Sequence, residues 1–169
     1  NNQIPNPKSQ INSKIHIPSS PGPTRVGAGK RLVLQVVVQQ RISPVTAAQI
    51  SRLARRAIRA LKIRAPGTLV VTFIDSRRMR VLNRAFMRHD RATDVLTFRY
   101  DGEPTVGDIL IDPSMARRYA KAHGLVYAQE LSRYVVHGLL HWVGHEDHTP
   151  SQQRHMRRLE DQLLSHRVL

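Results

Sequence analysis

The stretch HGLLHWVGHEDH, residues 137–148, places four histidines and two acids within twelve residues. It ends a segment, residues 128–144, whose closely spaced apolar residues predict the most apolar helix of the chain. Four residues separate His137 from His141, so in a helix their side chains project from one face, one turn apart. Gly144 follows three residues later, and a glycine there predicts a helix end with positive φ that turns the chain back.

The spacing of these residues predicts a metal site. Two imidazoles one helical turn apart can bind one cation, and the order His-x3-His-x2-Gly-x2-ligand matches the extended helix motif of zinc peptidases. The third ligand is then Asp147, an acceptable oxygen ligand for zinc, with His148 as the second choice. His145 and Glu146 are not expected to bind the ion.

One residue argues against a peptidase. Gly138 follows the first histidine, where a zinc peptidase carries the glutamate that acts as general base. A peptidase interpretation of the motif therefore loses its catalytic base.

Composition limits the other classes of function. The 169 residues argue for one domain, and the absence of cysteine excludes disulfides and cysteine-based zinc sites. The longest apolar run, LVLQVVV at 32–38, is far shorter than the roughly 20 residues of a membrane span, and no secretory signal is evident. We therefore expect no membrane partner. The net charge of +15 favours a polyanionic partner such as nucleic acid.

Residues 1–30 differ from the rest of the chain. They hold five of the ten prolines and no acid, with no lasting period, which predicts a disordered basic extension. Residues 31–169 still hold 23 basic and 12 acidic residues, so the extension does not explain the charge. The predicted folded domain is 31–169.

The order of predicted elements indicates an α+β, α/β-like domain: a small mixed sheet of about four strands covered by about five helices, with the metal site on the long apolar helix. Strands are predicted at 31–39, 67–75, 94–100 and 108–112, and helices at 43–63, 76–87, 113–123, 128–144 and 150–168. Ser76 is the expected N-cap of the second helix.

The first predicted helix has one apolar and one basic face. Leu53, Ala57, Ile58 and Leu61 share the apolar face, and the basic stripe on the other consists of Arg52, Arg55, Arg59 and Lys62. Such a stripe can be a solvated face, but the overall charge makes phosphate contact an equal alternative. Aromatic residues make up only 5%, which favours contacts to the RNA backbone over stacking on bases.

Four ordered blocks resemble the YbeY family of endoribonucleases and ribosomal RNA maturation factors. HGLLHWVGHEDH resembles the family's H-G-x-L-H-x-x-G-x-D-H, and LNRAFMRHDRATDVLTF (82–98) resembles L-N-x-x-[YF]-R-x-x-D-x-P-T-D-V-L-S-F. VGDILID (106–112) and MRRLEDQLL (156–164) resemble the family's L-G-D-I-x-I segment and its closing M-x-x-x-E helix. The resemblance runs from about residue 31 to the end.

The resemblance implies a metal-dependent, single-strand-specific endoribonuclease that holds one Zn²⁺ and acts in the cytoplasm. Its implied partners are ribosomal RNA and the small ribosomal subunit, in processing and quality control. The alternative is a ribosome-assembly factor with a structural metal and little catalysis.

Two departures from the family pattern affect the site. The family's third ligand is usually a histidine where this chain has Asp147. Its RNA-related arginine is replaced by Met87, with Arg88 one residue later as the candidate catalytic residue. Arg84, Arg88 and Arg91 are the expected RNA-binding residues of this block.

Three acids remain as candidates for a supporting role. Asp94 and Asp108 are expected to hold turns rather than to transfer protons. Glu130, seven residues before His137, is expected either to orient a ligand from two turns away or to be solvated near the helix start.

Overall fold

The computed structural model describes residues 31–87, 93–100 and 105–165, and a four-stranded sheet lies at their centre. Its strands are β1 (Leu32–Val38), β2 (Gly67–Phe73), β3 (Val95–Arg99) and β4 (Thr105–Ile111). They are ordered β1-β2-β4-β3; β1 and β4 run parallel to β2, and β3 is antiparallel to β4. The sheet is therefore mixed, as the sequence predicted.

Five helices cover this sheet: α1 (Ala47–Ala60), α2 (Ser76–Met87), α3 (Pro113–His123), α4 (Tyr127–Trp142) and α5 (Pro150–Leu164). The predicted α+β class, with four strands and five helices, is confirmed. None of these helices has the length and apolar character needed to cross a bilayer. The predicted extension at 1–30 lies outside the described residues, so the domain boundary stays a prediction.

The two faces of the sheet are covered differently. Ile109 and Ile111 of β4 point into the main core, which α1 and α4 share with β1 and β2. Leu110 points the opposite way, into a smaller core built with Met79 and Leu82 of α2. This alternation follows from the two-residue period of a strand, and it puts α4 and α2 on opposite faces of the sheet.

Several element ends differ from the sequence prediction. The first helix is shorter than 43–63 because Thr46 and Gln49 form a capping box that starts it at Ala47. The fourth strand begins at Thr105 rather than 108, and α5 ends at Leu164 rather than 168. Strand extent depends on pairing partners: Thr105 pairs with Thr68 of β2, which no local pattern could reveal.

The predicted N-cap of α2 is wrong. Asp75 does the capping, because its Oδ1 accepts a hydrogen bond from the backbone N–H of Arg78 at 2.9 Å. Ser76 instead donates its hydroxyl to the carboxylate of Asp112. Asp112 in turn caps α3 through the N–H of Ser114, at 2.8 Å. The Ser76 hydroxyl thus ties two helix starts together.

Two glycines let α4 lie directly on the sheet. A Cβ on Gly138 would meet Ile109 Cγ2 at 2.5 Å and Val95 Cγ1 at 3.1 Å. A Cβ on Gly107 of β4 would meet Trp142 Nε1 at 2.1 Å, closer than real Cβ atoms come. Both positions are close approaches that admit no side chain without movement, so they fix how α4 sits.

Substitution of Gly138 by alanine tests this seating. The overlap should cost about 1–3 kcal/mol, while the better helix propensity of alanine returns up to about 1 kcal/mol. We expect the free energy of unfolding, measured by urea denaturation, to fall by about 1–2 kcal/mol. Gln129→Ala, on an exposed position of the same helix, should change it by less than about 0.5 kcal/mol. Equal stability of the two variants would contradict the close packing.

Candidate metal centre

Helix α4 presents His137 and His141 from one face, as their spacing predicted. Their Nε2 atoms lie 2.9 Å apart, and the rings meet edge to face. Two lone pairs this close repel each other unless a proton or a cation lies between them. An Nε2–H of one ring donated to the other nitrogen satisfies this contact, as would a cation bound by both.

A turn after α4 brings a carboxylate to the histidine pair. Gly144 adopts φ 101°, a value that favours glycine. The N–H of Gly144 donates to the carbonyl of His141, and that of His145 donates to the carbonyl of Leu140, each at 3.0 Å. The reversed chain then places Asp147 Oδ2 3.7 Å from His137 Nε2 and Asp147 Oδ1 3.7 Å from His141 Nε2.

The three donors fit a zinc ion. Zinc–ligand bonds of about 2.0–2.1 Å in a tetrahedral site leave donors about 3.3 Å apart. The two Nε2 atoms are 2.9 Å apart, and each lies 3.7 Å from a different oxygen of Asp147. One ligand atom from each residue lies within 4.8 Å of the other two, so a small closure would bring the three to that spacing. Among the described residues, His137, His141 and Asp147 form the group whose donor atoms converge in this way.

The neighbouring candidates lie elsewhere. His148 and Glu146 are exposed and do not belong to this group. The ring of His145 pairs with that of His155, at 5.6 Å between centroids. The geometry therefore favours Asp147 over His148, and the assignment of the ligand stays a prediction.

Behind His137 lies a carboxylate that the sequence did not single out as a partner. Glu160 of α5, only 4% exposed, has its Oε1 2.8 Å from His137 Nδ1. A hydrogen bond from Nδ1–H to this carboxylate leaves the Nε2 lone pair facing His141 and Asp147. Carboxylates behind histidine ligands orient the ring and raise its basicity. The only sequence signal was the glutamate of the closing helix motif.

Arg133 completes this network. Its guanidinium donates to Glu160 Oε2 at 2.8 Å and pairs with Asp161 at 2.9 Å. Arg133 lies one turn before His137 on α4, so Glu160 and Asp161 of α5 join both residues to a second helix. The network fixes α5 against the metal-facing side of α4.

These contacts shift the pKa values of the network in opposite directions. Burial acts to lower the pKa of His137, but the hydrogen bond and charge of Glu160 outweigh it and raise that pKa. Burial and the neighbouring His137 lower the pKa of His141. For Glu160, burial is outweighed by the hydrogen bonds from His137 and Arg133, so its pKa is lowered. These directions favour an ionised Glu160 and a neutral His141, whereas the raised pKa of His137 favours a proton that a bound cation would have to displace.

A cleft of about 450 Å³ opens beside His137. The polar and charged lining of this cleft includes Asp94, Glu130, Arg133, Tyr134, Arg157 and Glu160. Met115 and Tyr119 of α3 form another part of its wall. His137 therefore faces a space large enough for a small-molecule-sized group, since such sites occupy about 300–1,000 Å³.

The three candidate acids have different roles. Asp94 accepts the N–H of the next residue, Val95, at 3.0 Å, and it also lines the cleft. Asp108 is buried in the middle of β4 rather than at a turn, and the hydroxyl of Tyr100 donates to it at 2.7 Å. Glu130 is not bonded to His137: it is 7% exposed and lines the cleft.

The predicted basic residues lie in three places. The members of the basic stripe are exposed on or just after α1: Arg52, Arg55, Arg59 and Lys62. Arg84 is exposed on α2, across the sheet from the histidine pair. Arg88 and Arg91 lie outside the described residues, so the catalytic and RNA-binding roles assigned to them stay predictions. The arginines that line the cleft, Arg133 and Arg157, were not predicted.

Comparison with known proteins identifies the family. A family model described as Endoribonuclease YbeY matches residues 35–167. The protein named Endoribonuclease YbeY in Geobacillus kaustophilus is 32% identical over 137 residues, which cover 72% of this chain and 88% of that protein. The one in Frankia casuarinae is 31% identical over 137 residues, 73% of this chain and 68% of that protein.

A longer relative and a solved structure add to this comparison. Endoribonuclease YbeY of Myxococcus xanthus is 39% identical over 106 residues, but this match spans only 36% of that protein's length and 59% of this chain. The solution structure of TM1509 from Thermotoga maritima has the same fold, with a TM-score of 0.53 and 21% identity over 79% of this chain and 90% of that one. Since the family model covers most of the chain, the protein belongs to the YbeY family.

Proposed function

We propose that this protein is a metal-dependent endoribonuclease that cuts single-stranded RNA and acts in ribosomal RNA maturation. The observation that carries the proposal is the convergence of His137, His141 and Asp147 beside a cleft whose lining carries three carboxylates and two arginines. Relatives named Endoribonuclease YbeY support the reaction class. Zinc is the proposed ion, because its usual ligands are imidazole nitrogens and carboxylate oxygens.

The ligand set suits a catalytic rather than a structural ion. Structural zinc sites use four protein ligands, whereas catalytic sites use three. When bound, such an ion supplies Lewis-acid polarisation of a phosphate oxygen. His137 is held for this task by Glu160, and Arg157 lies 60% exposed at the cleft, where its guanidinium can bind a backbone phosphate.

A peptidase does not fit the geometry. Position 138 faces Ile109 and Val95 of the sheet, so no side chain there could reach a substrate at the histidine pair. The glutamate that serves zinc peptidases as general base thus has no room in this fold. RNA carries its own nucleophile, the 2′-hydroxyl, and cleavage does not require that base.

Ribosomal RNA and the small ribosomal subunit are the proposed partners, and the cytoplasm is the proposed location. The basic stripe on α1 and the net charge of +15 support an RNA backbone as ligand. The second candidate is a ribosome-assembly factor whose metal is structural. Its supporting observation is the network of Glu160 and Arg133, which ties the metal ligands to two helices regardless of catalysis.

Metal content and RNA cleavage should depend on the same three residues. We expect His141→Ala and Asp147→Ala to lose zinc, measured by elemental analysis, and to lose cleavage of a single-stranded RNA. His148→Ala, which changes an exposed neighbour, should keep both. Loss of zinc in His148→Ala but not in Asp147→Ala would move the third ligand to His148.

The same measurements separate the two candidate functions. A wild type that retains zinc but cleaves RNA no faster than His141→Ala would contradict an endoribonuclease and favour the assembly factor. Equal cleavage by both proteins would point to a contaminating nuclease, with the same consequence.

Removal of the hydrogen bond behind His137 should weaken metal binding. Glu160→Gln loses the carboxylate that orients the ring, and we expect zinc affinity to fall by about 10- to 100-fold, measured by competition with a chelator. Asp161→Asn is the matched control, because Asp161 also pairs with Arg133 but does not bond to His137. Similar losses in the two variants would show that the contact with Arg133, not the one with His137, supports the ion.

Charge reversal on α1 tests the basic stripe. Arg55→Glu with Arg59→Glu should weaken RNA affinity and flatten its dependence on salt, by about 1 in log–log slope for each phosphate that the protein no longer binds. Arg77→Glu with Arg80→Glu makes the same charge change on exposed positions of α2, across the sheet. Fluorescence anisotropy over a salt series measures both, and equal effects would reduce the stripe to a general charge contribution.

A further inference from the structure

Glu130 is a largely buried acid of α4 that faces the cleft. Its side chain is 7% exposed and lines the cleft two turns before His137. Among the described residues, its carboxylate makes no hydrogen bond and no ion pair. Arg133 and Arg157 line the same cleft, but both pair with Glu160, and Arg133 also pairs with Asp161.

Partial removal of this carboxylate from water disfavours its charged form. Burial accordingly raises the pKa of Glu130, and the charges of Arg133 and Arg157 only partly offset the rise. Because Glu130 lines the cleft and no described residue donates a hydrogen bond to it, a ligand in the cleft that donates hydrogen bonds can bind its carboxylate.

We propose that the cleft binds a guanine base of single-stranded RNA, with the Glu130 carboxylate accepting hydrogen bonds from guanine N1–H and N2–H. This inference rests on the proposed function, since it names the nucleotide that lies beside the cleavage site. It makes Glu130 the residue that sets base preference.

The donor pattern of guanine matches a carboxylate. A carboxylate has two oxygens that accept a pair of parallel hydrogen bonds, and the Watson–Crick edge of guanine offers two adjacent N–H donors. Adenine and cytosine each offer one amino group beside an acceptor nitrogen, and uracil offers one N–H between two carbonyls. Bases of single-stranded RNA expose this edge for recognition, so a buried carboxylate selects guanine among the four.

The remaining walls of the cleft suit a nucleotide. Its volume of about 450 Å³ is within the range of small-ligand sites. Tyr134 and Met115 supply apolar and aromatic surface against which a base can pack, and Arg157 lies where a phosphate can be bound. Since His137 belongs to both the cleft and the proposed metal site, the bound nucleotide adjoins the scissile phosphate.

Binding of short RNAs tests the proposal without cleavage. The full chain is mixed with EDTA and with labelled pentanucleotides CCGCC, CCICC and CCACC, where I is inosine, which lacks the 2-amino group. Anisotropy should rank G above I above A, with G about tenfold or more tighter than A. Glu130→Gln should remove the difference between G and A. Glu146→Gln, which removes an exposed carboxylate outside the cleft, should keep the ranking.

The outcomes separate this inference from the proposed function. Equal affinity for the three RNAs, or binding too weak to measure for all three, overturns guanine binding. A ranking that is unchanged in Glu130→Gln overturns it as well. Zinc-dependent cleavage with no base preference leaves the endoribonuclease intact while it removes the guanine site. Guanine-selective binding without any cleavage would support the guanine site and contradict the proposed endoribonuclease activity.

Thermal stability gives a second readout. The pKa of Glu130 is raised in the folded state. Its contribution to the free energy of unfolding is therefore most favourable below the unfolded-state pKa, and that contribution is lost as pH rises through the folded-state pKa. Glu130→Gln lacks this loss, so its melting temperature should exceed that of the wild type at neutral pH, and the gain should shrink in acid. A lower melting temperature at neutral pH would show that the fold needs Glu130, and would overturn a ligand-binding role.

Discussion

The close contact between the backbone of α4 at Gly138 and the β3–β4 pair determines the rest of the site. With Ile109 and Val95 against position 138, the helix cannot rotate without a clash. His137 and His141 are then held at the edge of the main core, half-buried and turned away from the strands. A close-packed interior transmits such a constraint well. The close contacts at Gly138 and Gly107 therefore set the direction in which His137 and His141 project from the other side of α4.

The polar network of Glu160 and Arg133 on the other side of α4 orients the His137 ring, which packing alone does not do. Glu160 contacts His137 and Arg133 from a separate helix, so the imidazole is fixed in orientation and in tautomer. A buried carboxylate with two charged partners is satisfied by the fold, and its lowered pKa records this. The histidine ring is thereby held from one side by α5, and the reversed chain at Asp147 approaches it from the other.

The features that were predictable are those that the chain fixes locally. Spacing of four placed His137 and His141 together, and the turn at Gly144 is a conformation that favours glycine. The partner at Glu160 could not be inferred, since 23 residues separate it from His137 and only the packing of α5 on α4 brings them together. The same reason explains why the N-cap predicted at Ser76 was wrong: its hydroxyl donates to the carboxylate of Asp112, which is distant in sequence. Sequence patterns report periodicity and turns, whereas long-range polar pairs depend on the assembled fold.

Two buried glutamates face the same cleft and differ in one respect. Glu160 is bonded to His137 and Arg133, and its pKa is lowered; Glu130 has no such bonds, and its pKa is raised. Burial acts to raise the pKa of both carboxyl groups, so the difference comes from the hydrogen bonds that Glu160 accepts. Among the described residues, Glu160 has its donors within the protein, whereas Glu130 faces the cleft without one. Of the two acids, Glu130 is therefore the one with which a ligand in the cleft can pair.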